Sequence, residues 1–110
     1  MISKKLVAAS SEPLVLSILA QGESYGYALI QRVRQISQET LNWTDGMLYP
    51  VLHRLERNGL IVAHWGTGDS GRRRRYYRIT DGGLEALAAE RFEWETLNRT
   101  LNELWRAPNA

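Results

Sequence analysis

Residues 44–79, TDGMLYPVLHRLERNGLIVAHWGTGDSGRRRRYYRI, change period halfway along, and that change decides the fold. In the first half, Leu48, Val51, Leu52 and Leu55 fall at i, i+3, i+4 and i+7, one face of a helix. Thr44 offers a hydroxyl to cap its start. Asn58-Gly59 ends it, because glycine takes the left-handed terminal conformation at little cost. Pro50 lies near the start, four residues after Gly46, and predicts a slight kink rather than a break. Beyond Gly59 the helical spacing stops. Leu60–Trp65 and Arg75–Ile79 are rich in β-forming residues, and Gly66–Gly71 between them reads as a flexible turn. The stretch predicts a helix followed by a β-hairpin.

Upstream, Ser11 and Glu12 followed by Pro13 read as a helix start, with Pro in the first turn. Leu14, Val15, Leu16, Ile18 and Leu19 make that helix short and largely buried, and Gly22 ends it. Ser24 then offers a cap for a second helix, with Tyr25, Leu29, Val33 and Ile36 on one face. Residues 37–43 are polar and turn-like up to Trp43. Downstream, Thr80-Asp81 opens a last helix in which Leu87, Glu90, Trp94, Leu97, Leu101 and Leu104 recur three and four apart, as in a coiled-coil seam. Residues 81–106 as one helix span about 39 Å at about 1.5 Å per residue. A compact domain of this size has a radius of gyration of only about 13 Å. The helix must therefore project, and its seam needs a partner, most simply a second copy of the chain. Leu87, Trp94, Leu97, Leu101, Leu104 and Trp105 are the expected dimer interface. The fold class is thus mainly α with a small β-hairpin: a winged helix-turn-helix over residues 1–80, then a long C-terminal dimerisation helix and tail over residues 81–110.

Composition narrows the function classes. The chain has 110 residues, 44% of them hydrophobic, and no cysteine, which suits one domain and excludes a disulfide scaffold or a Cys-type zinc site. Its longest apolar stretch, Leu14–Ala20, is broken by Ser17 and falls far short of the ~20 residues of a membrane span. Residues 1–11 hold no signal-peptide run. The expectation is a soluble cytoplasmic protein with no membrane partner. The net charge of +2 divides unevenly. Residues 1–80 hold 11 Lys/Arg and 6 Asp/Glu, a net of +5, whereas residues 81–110 hold 3 and 6, a net of −3. A basic first part with an acidic tail suggests that only the first part binds an anion.

In a winged helix-turn-helix the third helix enters the DNA major groove and the hairpin lies against the backbone. The polar face of the third helix carries Asp45, Tyr49, His53, Arg54 and Arg57. Tyr and His can hydrogen-bond base edges or phosphates, and Arg can do either. Arg72-Arg73-Arg74-Arg75, with Arg78 beyond, would repel one another without an anion nearby, and on a hairpin arm they suit phosphate contact. Gly66–Gly71 spells G-x-G-x-x-G, but it opens into an arginine run and a strand rather than a helix, so it is no dinucleotide site. His53 and His64 have no accompanying ligand set, and no nucleophile–base spacing stands out. No catalytic residue, metal or cofactor is expected, and the chain is not read as an enzyme. The rival is a protein-interaction module of the same shape, which the arginine run disfavours. Trp94 has two readings: dimer packing, or one wall of a cavity for a planar aromatic small molecule, with Leu97, Asn98 and Leu101 beside it.

The residues Tyr25-Gly26-Tyr27-Ala28-Leu29-Ile30, the helix Gly46–Leu60 with its Leu48-Tyr49-Pro50, and Gly71–Arg75 followed by Tyr76–Gly83 together resemble the PadR family of transcriptional regulators. The similarity runs from about residue 12 to residue 105. It implies a homodimeric winged-helix repressor on a palindromic double-stranded operator. It places Tyr27, Thr44, Gly46, Tyr49, Pro50, His53 and Arg54 at or near DNA and the wing arginines on phosphates; with Ser24, Asp45, Arg72, Arg73 and Arg74 these make up the expected DNA-binding residues. The single C-terminal helix is similar to the family's small subclass, in which a Trp on that helix stacks on flat drugs at the dimer centre. Trp94 matches that position. Asn98 stands where a drug-binding member of that subclass has an acidic residue, so the resemblance does not carry over a preference for cationic drugs.

Overall fold

The computed structural model describes residues 2–106. Its elements run α1 (Lys4–Leu19), β1 (Ser24–Tyr25), α2 (Gly26–Ile36), α3 (Asp45–Arg57), β2 (Ile61–Thr67), β3 (Arg73–Ile79) and α4 (Asp81–Trp105). The strands form one antiparallel sheet in the order β1-β3-β2.

Two local expectations are corrected. First, α1 starts seven residues earlier than Ser11, at Lys4, because the Ser3 hydroxyl accepts the Leu6 N–H at 3.3 Å and the following Lys, Leu and Ala residues favour helix. Pro13 therefore sits inside the helix rather than in its first turn. Second, Ser24 does not cap α2. It pairs with Tyr77, as Tyr25 does with Tyr76, and the sheet gains a third strand beyond the expected hairpin. Tyr25 is the residue before α2 and makes no side-chain cap bond. A two-residue strand exists only through its partner, so the pairing overrides the local capping preference. Trp43 closes the α2–α3 connection by entering the core. That connection reverses through Gln38 and Glu39, both in the left-handed region with φ of 54° and 65°.

The core joins Val15, Leu16 and Leu19 of α1, Leu29 and Val33 of α2, and Leu48, Val51, Leu52 and Leu55 of α3 with Trp43, Ile61 and Tyr77. Ile36, at the end of the expected α2 stripe, is exposed. The α3 stripe is buried as its spacing requires. Thr44 caps α3 by accepting the Met47 N–H at 3.2 Å, and Gly59 follows the helix with φ 74°. Thr44→Ala should cost about 1 kcal/mol, as loss of an N-cap commonly does. Urea unfolding checks this, and an unchanged midpoint would mean the cap bond contributes nothing.

The hairpin strands run further than their β-propensity suggests, taking in Gly66 and Thr67 and beginning at Arg73. Ladder pairing carries the extension. Gly66 is required within it, since a Cβ there would lie 2.9 Å from the Tyr76 ring.

α4 is a single 25-residue helix. Thr80 joins it to the domain, its hydroxyl accepting the Gly83 N–H at 3.0 Å and donating to the Gly59 carbonyl at 2.7 Å. Leu87 packs on the core. Further along, Leu97, Leu101, Leu104 and Trp105 are exposed, and the molecule measures 61 × 29 × 21 Å. The projecting helix accounts for the long axis. No described helix is long and apolar enough to cross a membrane. The expected tail at residues 107–110 lies outside the described residues.

Glu90 is half-buried on α4, and burial together with the charges of Glu12 and Glu93 raises its carboxyl above the ordinary carboxylate range. A raised folded pKa means that ionising Glu90 lowers stability, so the penalty is present above that pKa and absent in acid. Glu90→Gln should raise the melting temperature at pH 7, with the gain fading as pH falls through the carboxylate range. A gain independent of pH would contradict this origin.

Candidate nucleic-acid interface

The amphipathic spacing of α3 turns its polar side outward. Asp45, Gly46, Tyr49, Pro50, His53 and Arg57 are all exposed, as is the capping residue Thr44. Arg54 is placed differently. Its Nε donates to Glu12 Oε2 at 2.7 Å, tying α3 to α1, so its guanidinium is already engaged within the chain.

Tyr49 reaches from α3 across the start of α2. A Cβ at Gly26 would lie 2.5 Å from the Tyr49 hydroxyl, so glycine is what lets the ring sit there. Tyr27, the next residue, is 65% exposed. Tyr25, Gly26, Tyr27, Tyr49, Trp65 and Arg72–Arg75 together line a concavity of about 580 Å³. The structure thus gathers Tyr27, Tyr49, Arg72, Arg73 and Arg74 around one cleft between α2, α3 and the wing. Ser24 is outside its lining, paired into the sheet. His53 lies on the neighbouring exposed surface of α3. Tyr25 and Trp65 belong to the cleft but were not among the residues expected from sequence. Trp65 on the facing arm of the expected hairpin was the signal available for one of them, and Tyr25, far from the run in sequence, left none.

The four arginines have different surroundings. Arg72 is exposed at the turn. Arg73 lies 4.9 Å from the Trp65 ring centroid, and Arg74 lies 4.3 Å from that of Tyr25. Arg75 donates to Glu56 Oε2 at 2.9 Å. Below it, burial raises the pKa of the Tyr77 hydroxyl, and the nearby Arg75 opposes that shift. His64 is more than a solvent-facing strand residue. Its Nε2 is 2.9 Å from Glu23 Oε2, and its ring stacks on Tyr76 at 5.6 Å. Among the described residues no group of His, Cys, Asp and Glu is arranged to hold a metal ion.

A second groove, of about 270 Å³, runs between α1 and α4. Trp94 and Asn98 line it with Ser10, Pro13, Leu14 and Ser17 opposite, whereas Leu97 and Leu101 are not part of its lining.

Three helices, a short strand and a β-hairpin wing, with α3 and the wing flanking a basic cleft, define a winged helix-turn-helix protein. Residues 15–89 match the model of the transcriptional regulator PadR-like family, and the chain belongs to that family. It is 40% identical over 85 residues to the transcriptional regulator Rv3488 of Mycobacterium tuberculosis, covering 77% of this chain and 76% of that one. It is similar to the structure of a transcriptional regulator from Clostridium thermocellum, with 31% identity, a TM-score of 0.86, and coverage of 96% of this chain and 100% of that one. A PadR-like regulator from Bacillus cereus shows 30% identity and a TM-score of 0.83, over 94% of this chain and 99% of that one. The chain is a DNA-binding transcriptional regulator.

Proposed function

We propose that the chain acts in the cytoplasm as a homodimeric repressor on a palindromic operator. Residues 1–80 read the DNA, and residues 81–106 build the dimer. The observation that carries this reading is the cleft lined in common by Tyr27, Tyr49, Arg72, Arg73 and Arg74. His53 and Tyr49 meet base edges, and the three arginines meet phosphates. Exposed Leu97, Leu101, Leu104 and Trp105 on the projecting part of α4 supply the apolar surface for self-association. Selection from a random duplex library should return an inverted repeat with half-sites one DNA turn apart, about 34–36 Å, or a multiple of it. A single unrepeated motif would contradict the dimeric reading. Leu101→Glu with Leu104→Glu should shift the sedimentation mass from two chains to one.

The α1–α4 groove supports a ligand-responsive form of the same reading. Trp94 gives it an aromatic wall, and Ser10, Ser17 and Asn98 give it polar groups, the composition of a small-molecule site. A planar aromatic compound bound there would alter the separation of the two α3 helices and so release the operator. Such compounds should quench tryptophan fluorescence in the native chain. Quenching of the same strength and affinity in Trp94→Ala would remove this groove from consideration.

A further inference from the structure

Adjacent arginines repel one another and sample many rotamers unless something holds them. In this wing the hairpin register sorts them. Trp65 lies opposite Arg75, and Thr67 lies opposite Arg73, so both guanidinium stems rise from the face that carries Trp65. The Arg73 guanidinium sits 4.9 Å from the Trp65 ring centroid, and that of Arg75 sits 5.9 Å from it. Arg75 is fixed at its far end by Glu56, near the last turn of α3. A continuous series of contacts therefore runs from α3 through Glu56, Arg75 and Trp65 to Arg73. Core packing does not explain the indole, because Trp65 is 56% exposed.

We propose that Trp65 is a positioning residue for DNA binding. Its ring is anchored to α3 through Arg75 and Glu56, and it holds Arg73 at a set distance from that helix. Arg73 then meets a phosphate without first losing rotamer freedom when α3 enters the groove. Arg75, with its charge engaged by Glu56, is the anchor rather than a phosphate ligand. The inference rests on the phosphate contact proposed for the wing, and it adds a residue that does not itself touch DNA.

The test needs no known operator, because phosphate contact is independent of sequence. Affinity for a mixed-sequence duplex of about 30 base pairs, long enough for two half-sites a turn apart, is measured across a salt series. The proteins are the native chain, Trp65→Ala, Trp65→Phe, Arg73→Ala and the Trp65→Ala/Arg73→Ala double variant. Trp65→Ala should weaken binding about three- to tenfold, in line with the removal of one cation–ring interaction. Its log–log salt slope should stay near the native one, because Arg73 still reaches its phosphate, whereas Arg73→Ala should flatten the slope by about 0.9 for each phosphate no longer neutralised. Trp65→Phe keeps a ring and should recover much of the affinity. In the Arg73→Ala background, removing Trp65 should change affinity by less than about twofold, since coupled residues are not additive. A full further loss of affinity in the double variant would overturn the positioning role. If Arg73→Ala alone left binding intact, the phosphate contact would fall with it. If Arg73→Ala weakened binding and Trp65→Ala did not, only the positioning role would fall.

Discussion

Replacing Arg72, Arg73 and Arg74 together with Ala should weaken binding to every duplex alike, on the order of 10²-fold near physiological salt, and flatten the salt slope by about 2.7 per engaged subunit. Several features make this one of the two largest expected effects. The run sits on the arm of the wing, beside the cleft that also exposes Tyr27 and Tyr49. Arg73 and Arg74 are stacked on Trp65 and Tyr25, so their charges are presented rather than collapsed onto carboxylates. Glu56 on α3 takes Arg75, and the hairpin itself carries a single acidic residue, Asp69 in the turn. His53→Ala should behave differently. His53 is exposed on α3, where contacts discriminate bases, so its loss should change sequence preference more than affinity for random DNA. Titrations of a selected operator and of random duplex separate the two behaviours. Equal losses on both from His53→Ala would count against base reading by that residue.

Gly83→Ala should destabilise the fold by about 3 kcal/mol, as overpacking against a fixed backbone does at its upper range. The cause is steric, not conformational, because Gly83 is not among the glycines with positive φ. A Cβ at Gly83 would overlap the Leu60 carbonyl oxygen and stand 2.6 Å from Ile79 Cγ1. The Leu60 carbonyl cannot retreat freely, since it accepts the Thr80 N–H at 3.0 Å. The first turn of α4 would have to lift from the sheet and loosen the Thr80 bond to the Gly59 carbonyl. Gly82 provides the control. A Cβ there meets nothing closer than 3.7 Å, so Gly82→Ala should be neutral or stabilising by up to about 1 kcal/mol from helix propensity. Denaturant midpoints for the two variants give the comparison. Similar midpoints would mean that α4 does not pack on Leu60 as described.

Much of this architecture follows from local pattern. The α3 stripe, its Thr44 cap, its stop at Asn58-Gly59 and the uninterrupted α4 all depend on residues within a few positions of one another, and all are present in the structure. The features missed are those in which distant segments decide the outcome. β1 is a strand only because β3, some fifty residues later, pairs with it, and this removed Ser24 from its expected capping role. The ion pairs Arg54–Glu12 and Arg75–Glu56 span 42 and 19 residues, so no local spacing distinguishes Arg54 from Arg57 or Arg75 from Arg73. Trp43 follows a polar run and enters the core because α1 and α3 converge there. At the cleft, the arginine run was legible as a charge anomaly. The stacking of its members on Trp65 and Tyr25 required the three-stranded sheet, which placed Tyr25 beside Tyr76.

The salt dependence of DNA affinity for the native chain tests the central claim most directly. Two subunits, each placing Arg72, Arg73 and Arg74 on phosphates, should give a log–log slope near −5, from about 0.9 per contact. A slope close to zero, with binding retained, would contradict a wing that grips the DNA backbone.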